Sequence, residues 1–208
     1  MSNIVYYVID TETTGLKANY HELTEIGIVR CSDRVLLYRN IKCQYPERAN
    51  YDALAITNKT LEDLKKGYNL EEVVLECEKF FNQDGLTPAH RCIICHNVNF
   101  DKKFLHAMWS QCGRAFPANL WLDTLSLMKE YVKKNQIVKN KLNLHASCDL
   151  LGIKKSAGIH NAKSDSKNTY LLHKALVEDH NIDYLPFIKT AAHIPQTEER
   201  MDVDSLDL

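Results

Sequence analysis

Short apolar runs that end at polar turn residues dominate the first part of the chain. Residues 4–9 form an apolar run of β-branched and aromatic side chains that ends at Asp10, which predicts a buried central strand. Two further runs at residues 25–31 and 34–43 flank a turn at Ser32-Asp33 and predict two more strands. We expect the three strands to form a meander. Its predicted core-facing side chains are Ile26, Ile28 and Leu36.

Helical spacing alternates with further strands over the rest of the chain. After a predicted loop at residues 46–55, apolar positions recur three and four residues apart, as they do on one face of a helix. Predicted helices begin near residues 58, 70, 101, 124, 144 and 162, and predicted strands cover residues 92–96 and 120–122.

This element order predicts an α/β fold class, with a mixed sheet of about five strands flanked by helices. The composition agrees, because 45% of the 208 residues are hydrophobic and 25% are charged, as in an ordinary globular domain. We expect one domain over residues 1–192. From residue 193 the chain becomes polar and acidic, which predicts a flexible tail over 193–208.

Charge and cysteine content limit the possible settings of the protein. The formal net charge is −1, so any attraction to nucleic acid must come from local basic clusters and bound metal. Seven cysteines without a secretory signal are typical of reduced thiols in the cytoplasm. No uncharged apolar run approaches the ~18 residues needed to span a membrane. We therefore expect a cytoplasmic protein without a membrane partner.

The segment Cys92-Ile93-Ile94-Cys95-His96 has the spacing of a c-type haem attachment sequence. With His90 it also resembles a zinc-binding run. In a strand, however, Cys92 and Cys95 would lie on opposite faces, and no second pair at zinc-ligand spacing follows. We interpret both cysteines as buried, inert thiols.

Four carboxylates and one histidine are the candidate catalytic residues. They are Asp10, Glu12, Asp101, His160 and Asp165. Each has an ordinary alternative role when taken singly: a surface carboxylate pair, a residue in the first turn of a helix, a surface histidine. If the fold brings the acids together, they repel one another unless a divalent cation lies between them, and oxygen ligands favour Mg²⁺ or Mn²⁺ over zinc. His160 and Asp165 are five residues apart, so a kink or loop is needed for both to serve one site.

The flanking residues resemble those of the DEDD superfamily of 3′-to-5′ exonucleases, in the histidine-containing (DEDDh) branch. The first motif is Asp10-Thr11-Glu12-Thr13-Thr14-Gly15, the second joins His96-Asn97 to Phe100-Asp101, and the third contains His160, Ala162 and Asp165. The resemblance extends from Ile4 to about Leu176. It is greatest to the proofreading epsilon subunits of bacterial replicative DNA polymerases.

The resemblance implies a ribonuclease H-like fold and a reaction. Asp10, Glu12, Asp101 and Asp165 would hold two divalent cations, Mg²⁺ or Mn²⁺, and His160 would act as the general base. The product would be a nucleoside 5′-monophosphate, released from the 3′ end of single-stranded or frayed DNA.

Substrate contacts are also implied by the resemblance. The residues Thr13, Thr14, Gly15 and Leu16 would border the terminal nucleotide, with Asn97 and Phe100 nearby. Phe100 would stack on a base or sugar; the alternative for its ring is ordinary core packing. Lysines at 133–141 and Lys163 are further candidates for phosphate contact, although lysine runs are usually solvated faces.

Two alternative functions and one partner hypothesis stay open from the sequence. The first alternative is an exoribonuclease, because oligoribonuclease and ribonuclease T share these motifs and act on RNA. The threonines after Glu12 resemble the DNA-proofreading group more closely. A module that binds nucleic acid or a polymerase without catalysis is the second alternative, and the presence of all five functional residues argues against it. The last six residues, 203–208, resemble a sliding-clamp peptide without its leading glutamine.

Overall fold

Six strands form one mixed sheet in the part of the chain that the structure describes. The structure is a computed structural model that describes residues 4–138, 141–155 and 160–190. The strands are β1 Val5–Thr13, β2 Leu23–Arg30, β3 Leu36–Asn40, β4 Arg91–Cys95, β5 Leu120–Asp123 and β6 Lys189–Thr190. Their order in the sheet is β3-β2-β1-β4-β5-β6, with β1, β4 and β5 parallel and the other neighbours antiparallel. The α/β prediction is confirmed, and the sheet has one strand more than the five expected.

The apolar pattern of the sequence did not predict strand β6 and assigned Leu36 to the wrong side of the sheet. Strand β6 has only two residues, which is too short for an apolar period to appear. In the meander, Leu37 lies opposite Ile28 and packs on the same side of the sheet, while Leu36 packs on the other side. The prediction for Leu36 is therefore wrong by one residue, because one step along a strand reverses the face.

Helices cover both faces of the sheet. They are α1 Tyr51–Thr57, α2 Leu61–Leu64, α3 Leu70–Asn82, α4 Val98–Gln111, α5 Thr124–Lys134, α6 Leu144–Leu150 and α7 Ala162–Lys174, which a π-helical turn extends at Ala175–Asp179. The segment predicted as a loop at 46–55 contains a 3₁₀ turn and most of α1. Asn58 does not begin a helix but ends α1 in the left-handed conformation, with φ 51°, and Thr60 caps α2 instead.

Two apolar cores lie on the two sides of the sheet. On one side the sheet packs against α3 and α4, through residues such as Phe81 and Trp109. On the other it packs against α5, α6 and α7, through residues such as Met128 and Leu172. A catalytic site that draws on both α4 and α7 must therefore lie at an edge where the two helical layers meet around the strands.

The cysteines behave as simple apolar side chains. All seven are free, and Cys92 and Cys95 pack in opposite cores, as the strand period predicts. Neither belongs to a group of potential metal ligands among the described residues. No helix in the same part of the chain has the length and apolar character to cross a membrane. The predicted tail at 193–208, with its clamp-like peptide, lies outside the described residues.

Candidate active site

A cleft of about 610 Å³ opens where the parallel strands β1 and β4 end. Ligands of open α/β sheets bind at the carboxyl ends of strands, so the position is typical of an active site. The cleft is lined by Asp10, Thr11, Glu12, His96, Asn97, Phe100, Asp101, Leu125, Lys129, Leu142, Asn143, Leu144, His160 and Asp165. All five predicted catalytic residues are therefore brought together.

Strand β1 carries two of the acids on one face. Asp10 and Glu12 are two residues apart, so their side chains project to the same side of the sheet. Asp10 lies opposite Gly27 on β2, and a Cβ at Gly27 would come within 2.1 Å of the Ala162 carbonyl oxygen. The absence of a side chain at Gly27 thus lets the start of α7 approach the sheet beside Asp10.

The start of α7 holds the fourth acid in place. Asn161 caps the helix by accepting a hydrogen bond from the Ser164 N–H, and Glu25 accepts one from the Ala162 N–H at 3.0 Å. Asp165 follows in the first turn, where the helix dipole favours a negative charge. Its carboxylate oxygen lies within 4.8 Å of ligand atoms of Asp10 and Glu12, so the three acids are spaced for one cation.

Asp101 reaches the cleft from the other helical layer. It is buried in the first turn of α4, and its Oδ1 accepts a 2.8 Å hydrogen bond from the Thr11 hydroxyl. Asn97 precedes the helix in the left-handed conformation, with φ 75°, and its N–H donates to Asp123 Oδ1. His96 bonds Thr124 and the Leu142 carbonyl. In this structure His96 and Asn97 therefore hold the entry to α4, which places Asp101.

The acids are electrostatically unfavourable together. Burial and the charges of Glu25, Asp165 and Asp101 raise the pKa of Glu12 to about 8. Burial raises the pKa of Asp101 to about 7, against the lowering effect of the Thr11 hydroxyl. Burial and then the charge of Asp101 raise the pKa of Asp10 well above its usual range. Such a cluster fits a divalent cation, because a positive charge would reverse these shifts.

Glu25, a carboxylate next to the four acids, is paired with a lysine side chain. It is buried opposite Glu12 on β2, and its Oε1 lies 2.6 Å from Lys59 Nζ. The lysine and the α7 N-terminus together satisfy Glu25, which leaves it a structural part of the site. Sequence reasoning missed both residues in this role, because Lys59 lies in a helical connection far from every motif.

His160 lies two residues before α7 and is half-exposed, with 48% of its side chain accessible. Its Nδ1 is 3.1 Å from Asp165 Oδ2. The loop that the five-residue spacing requires is therefore present, since the helix begins only at Ala162. A second imidazole, His145 on α6, contacts both residues: its Nε2 is 3.1 Å from Asp165 Oδ1. The sequence offered no motif that distinguishes His145 from a surface histidine.

The predicted substrate contacts are placed unevenly. Asn97 and Phe100 line the cleft, and Phe100 also packs on Phe104 at 5.2 Å between ring centroids, so its ring has a core contact as well.

Thr13 and Thr14 are buried and hydrogen-bond within the turn after β1. Gly15 lies against the His21 ring. Leu16 is 70% exposed, and its carbonyl accepts from Lys103 Nζ. Lys163 lies 5.9 Å from the centre of the Tyr38 ring.

Comparison with known proteins supports the resemblance to exonucleases that the sequence motifs indicated. The exonuclease family model (RNase_T) matches residues 7–173. DNA polymerase III subunit epsilon of Treponema pallidum is 24% identical over 188 residues, which are 86% of this chain and 79% of that protein. The 3′-5′ exonuclease DinG of Staphylococcus haemolyticus is 26% identical over 134 residues, and a PolC-type DNA polymerase III of Thermotoga petrophila is 30% identical over 132. The matches cover only 14% and 9% of these last two proteins.

Solved structures agree on the fold. Exonuclease I of E. coli in complex with a dT13 oligonucleotide superposes with a TM-score of 0.68 at 18% identity, over 84% of this chain and 41% of that one. The fold and the acidic cleft define a 3′-to-5′ exonuclease domain of the DEDD type. By its sequence match, this chain belongs to the exonuclease family.

Proposed function

We propose that this protein is a metal-dependent exonuclease that removes nucleoside 5′-monophosphates from the 3′ ends of single-stranded or frayed DNA. One observation carries the proposal: Asp10, Glu12 and Asp165 bring ligand atoms within 4.8 Å of one another, and the same Asp165 hydrogen-bonds His160. A cation site and a base that share one carboxylate are the parts that phosphodiester hydrolysis needs.

Asp10, Glu12, Asp101 and Asp165 are the proposed ligands of two Mg²⁺ or Mn²⁺ ions. They fit hard cations because they are oxygen donors and are largely withdrawn from water, and because burial and neighbouring acids raise the pKa values of Asp10 and Glu12. The ions, when bound, would lower the pKa of the attacking water and stabilise the charge on the leaving 3′ oxygen.

His160 is the proposed proton acceptor. Its Nδ1 is engaged by Asp165, which favours the tautomer with the proton on Nδ1 and leaves Nε2 as the basic nitrogen. The half-exposed ring can meet a water molecule at the mouth of the cleft. The same carboxylate therefore serves the metal and orients the base.

The 3′ nucleotide is proposed to lie between the turn after β1 and the start of α4. Leu16 is free to wedge against a base because most of its side chain is exposed. Phe100 and Asn97 line the cleft beside Asp101, where the scissile phosphate would lie. Thr13, Thr14 and Gly15 support this turn from within and contribute backbone rather than side-chain contacts in this proposal.

DNA is the proposed polymer because the relatives are named as DNA polymerase III subunits and a 3′-5′ exonuclease. An exoribonuclease is the second candidate, since the family model that matches residues 7–173 carries the name RNase_T. A polymerase or sliding clamp as partner, through residues 203–208, stays a prediction, as does the cytoplasmic location. Clamp pull-down that is unchanged when the last six residues are removed would end the clamp hypothesis.

The test is a nuclease assay on the purified full chain with three substrates: 3′-labelled single-stranded DNA, duplex DNA and RNA, each with Mg²⁺ and with EDTA. We expect Mg²⁺-dependent release of mononucleotides, fastest from single-stranded DNA. The matched controls are Asp10→Ala, which should be inactive, and Asp52→Ala, an exposed acid on α1 that should be fully active. Equal release by wild type and Asp10→Ala would refute the assignment.

A further inference from the structure

His145 lies in direct contact with the proposed base, His160. The imidazole rings of His145 and His160 are stacked, with 4.2 Å between their centroids and only 8° between their planes. His145 Nε2 also lies 3.1 Å from Asp165 Oδ1, while His160 bonds the other oxygen of the same carboxylate. The two rings therefore stand side by side on one carboxylate.

His160 occupies a solvent-exposed position. It precedes the first turn of α7, and about half of its side chain is exposed. A single hydrogen bond from Nδ1 fixes one atom of the ring but leaves the ring plane free to rotate about that bond. A second flat ring in van der Waals contact restricts the plane, and thereby the direction of Nε2.

The support for His145 is firm. Its helix α6 is capped by Asn143, whose side chain accepts from the Ala146 N–H at 2.9 Å. Ser147 and Cys148, two and three residues further along α6, are completely buried, and the Cys148 thiol contacts the Asn168 carbonyl of α7. His145 thus projects from an anchored helix, and its bond to Asp165 sets the orientation of its own ring.

We propose that His145 is a positioning residue, which acts as a flat wall that holds the His160 ring in its productive plane. The inference rests on the proposed function, because it assigns His160 as the base. His145 touches neither the scissile bond nor the leaving group in this proposal; its effect on turnover passes through the orientation of His160, and its bond to Asp165 holds its own ring in place. A general base is effective only when its basic nitrogen, here His160 Nε2, points at the proton that it accepts.

A double-mutant cycle tests whether the two histidines act as one unit. Against single-stranded DNA, His145→Ala is expected to lower kcat about tenfold with KM unchanged, a fraction of the ~100-fold or greater loss expected for His160→Ala. In a His160→Ala background, His145→Ala should change kcat by less than about twofold. An equal fold loss in both backgrounds would overturn the proposal.

Variants that differ in side-chain shape at position 145 distinguish an effect of ring stacking from a general effect of losing the side chain. His145→Phe loses the bond to Asp165 but keeps a flat ring against His160 and should therefore retain most of the wild-type kcat, whereas His145→Leu, of similar bulk without a flat ring, should lose as much as His145→Ala. Equal activities of the Phe and Leu variants would contradict the proposal. His90→Ala, at the opposite end of β4, is the matched control and should be unchanged.

A readout independent of activity comes from the NMR signals of the His160 ring protons. Stacking on His145 should shift them upfield; the shift should persist in His145→Phe and disappear in His145→Ala. An unshifted His160 ring in the wild-type protein would refute the stacking. If the stacking is seen but no substrate is cut, then the proposed function has failed and the contact itself has not.

Discussion

The two ends of the central strands bury charge in opposite ways. At the start of β4, the Arg91 guanidinium is almost fully buried and pairs with Asp84 at 2.8 Å. The same pair also bonds the Tyr7 hydroxyl and the carbonyls of Pro117 and Leu86. At the other end, Asp10, Glu12, Asp101 and Asp165 face one another; in the described part of the chain none of them forms an ion pair with an arginine or lysine, and Asp165 contacts two histidines.

This difference separates stability from function along one sheet. The Arg91 network satisfies its donors and acceptors within the protein, so it contributes to folding without an added ligand. The acidic cleft is incomplete, because most of the repulsion among its acids is left to be relieved by protons or by a cation from solution. The predictions below test whether the two ends can be altered separately.

The largest expected effect is on turnover at the acidic end. Asp10→Asn should reduce exonuclease activity by about a thousandfold or more, because it removes a metal ligand. The metal-free variant should be at least as stable as wild type, since one repelled carboxylate is gone. Activity assays and urea unfolding without metal measure the two effects; a marked loss of stability would show that this end also holds the fold together.

The reverse result is expected at the other end. Arg91→Ala leaves the Asp84 carboxylate buried without its partner and should lower the free energy of unfolding by about 3–5 kcal/mol. Activity per folded molecule should be retained below the melting temperature. Arg114→Ala, which breaks a partly exposed pair with Glu78, is the control and should cost less than about 1 kcal/mol. Similar losses for both variants would contradict the contrast.

A single methyl group tests how the acidic end is assembled. Gly27→Ala places a Cβ against the Ala162 carbonyl and should push the start of α7 away from β2. Displacement of Asp165 by about 1 Å should lower turnover about 100-fold, with a smaller loss of stability of ~1–3 kcal/mol. Full activity in this variant would mean that α7 is not positioned by its contact with Gly27.

The smallest effect is a pH dependence whose sign differs between the two ends. In the metal-free protein the raised pKa values of Glu12, about 8, and Asp101, about 7, favour the protonated folded state. Their contribution to stability is complete below their unfolded pKa values, near 4, and is lost as the pH rises to about 8. The melting temperature should therefore fall by several degrees between pH 5 and 8, and Mg²⁺ should restore it at pH 8.

Asp84 has the opposite sign. Burial alone would raise its pKa, but hydrogen bonds from Arg91, the Leu86 N–H and Tyr7 hold it below the usual value. Its contribution is present above the unfolded pKa near 4 and is lost as the pH falls through the lower folded value. Thermal melts of wild type and Asp84→Asn below pH 4 measure this term. If the melting temperatures of the two proteins fall in parallel below pH 4, then Asp84 does not contribute to stability in the way that we expect.

Much of the fold was predictable because it depends on local patterns. The buried run before Asp10, the helix after Asn69 and the strand before His96 are all confirmed, since apolar period and capping residues act within a few positions of one another. Helix α1 was missed in a predicted loop, and β6 was too short to carry a period.

The five acid and histidine positions were predictable for a different reason: each lies in a short motif whose residue types resemble an exonuclease family, and the structure brings all five to one cleft. The roles of Lys59, Glu25 and His145 were not. These residues lie on separate elements, and their importance comes only from contacts between elements.

The sequence by itself determined most of the element order, the family and the residues that are candidates for its chemistry. Tertiary structure decided which groups share the site: Gly27 admits α7 to the sheet, Glu25 holds its first N–H, and His145 stacks on His160. The physical reason is range. Propensity, period and capping act along a few residues of chain, whereas repulsion, close packing and ring stacking depend on distances in space that the chain sets only when it is folded.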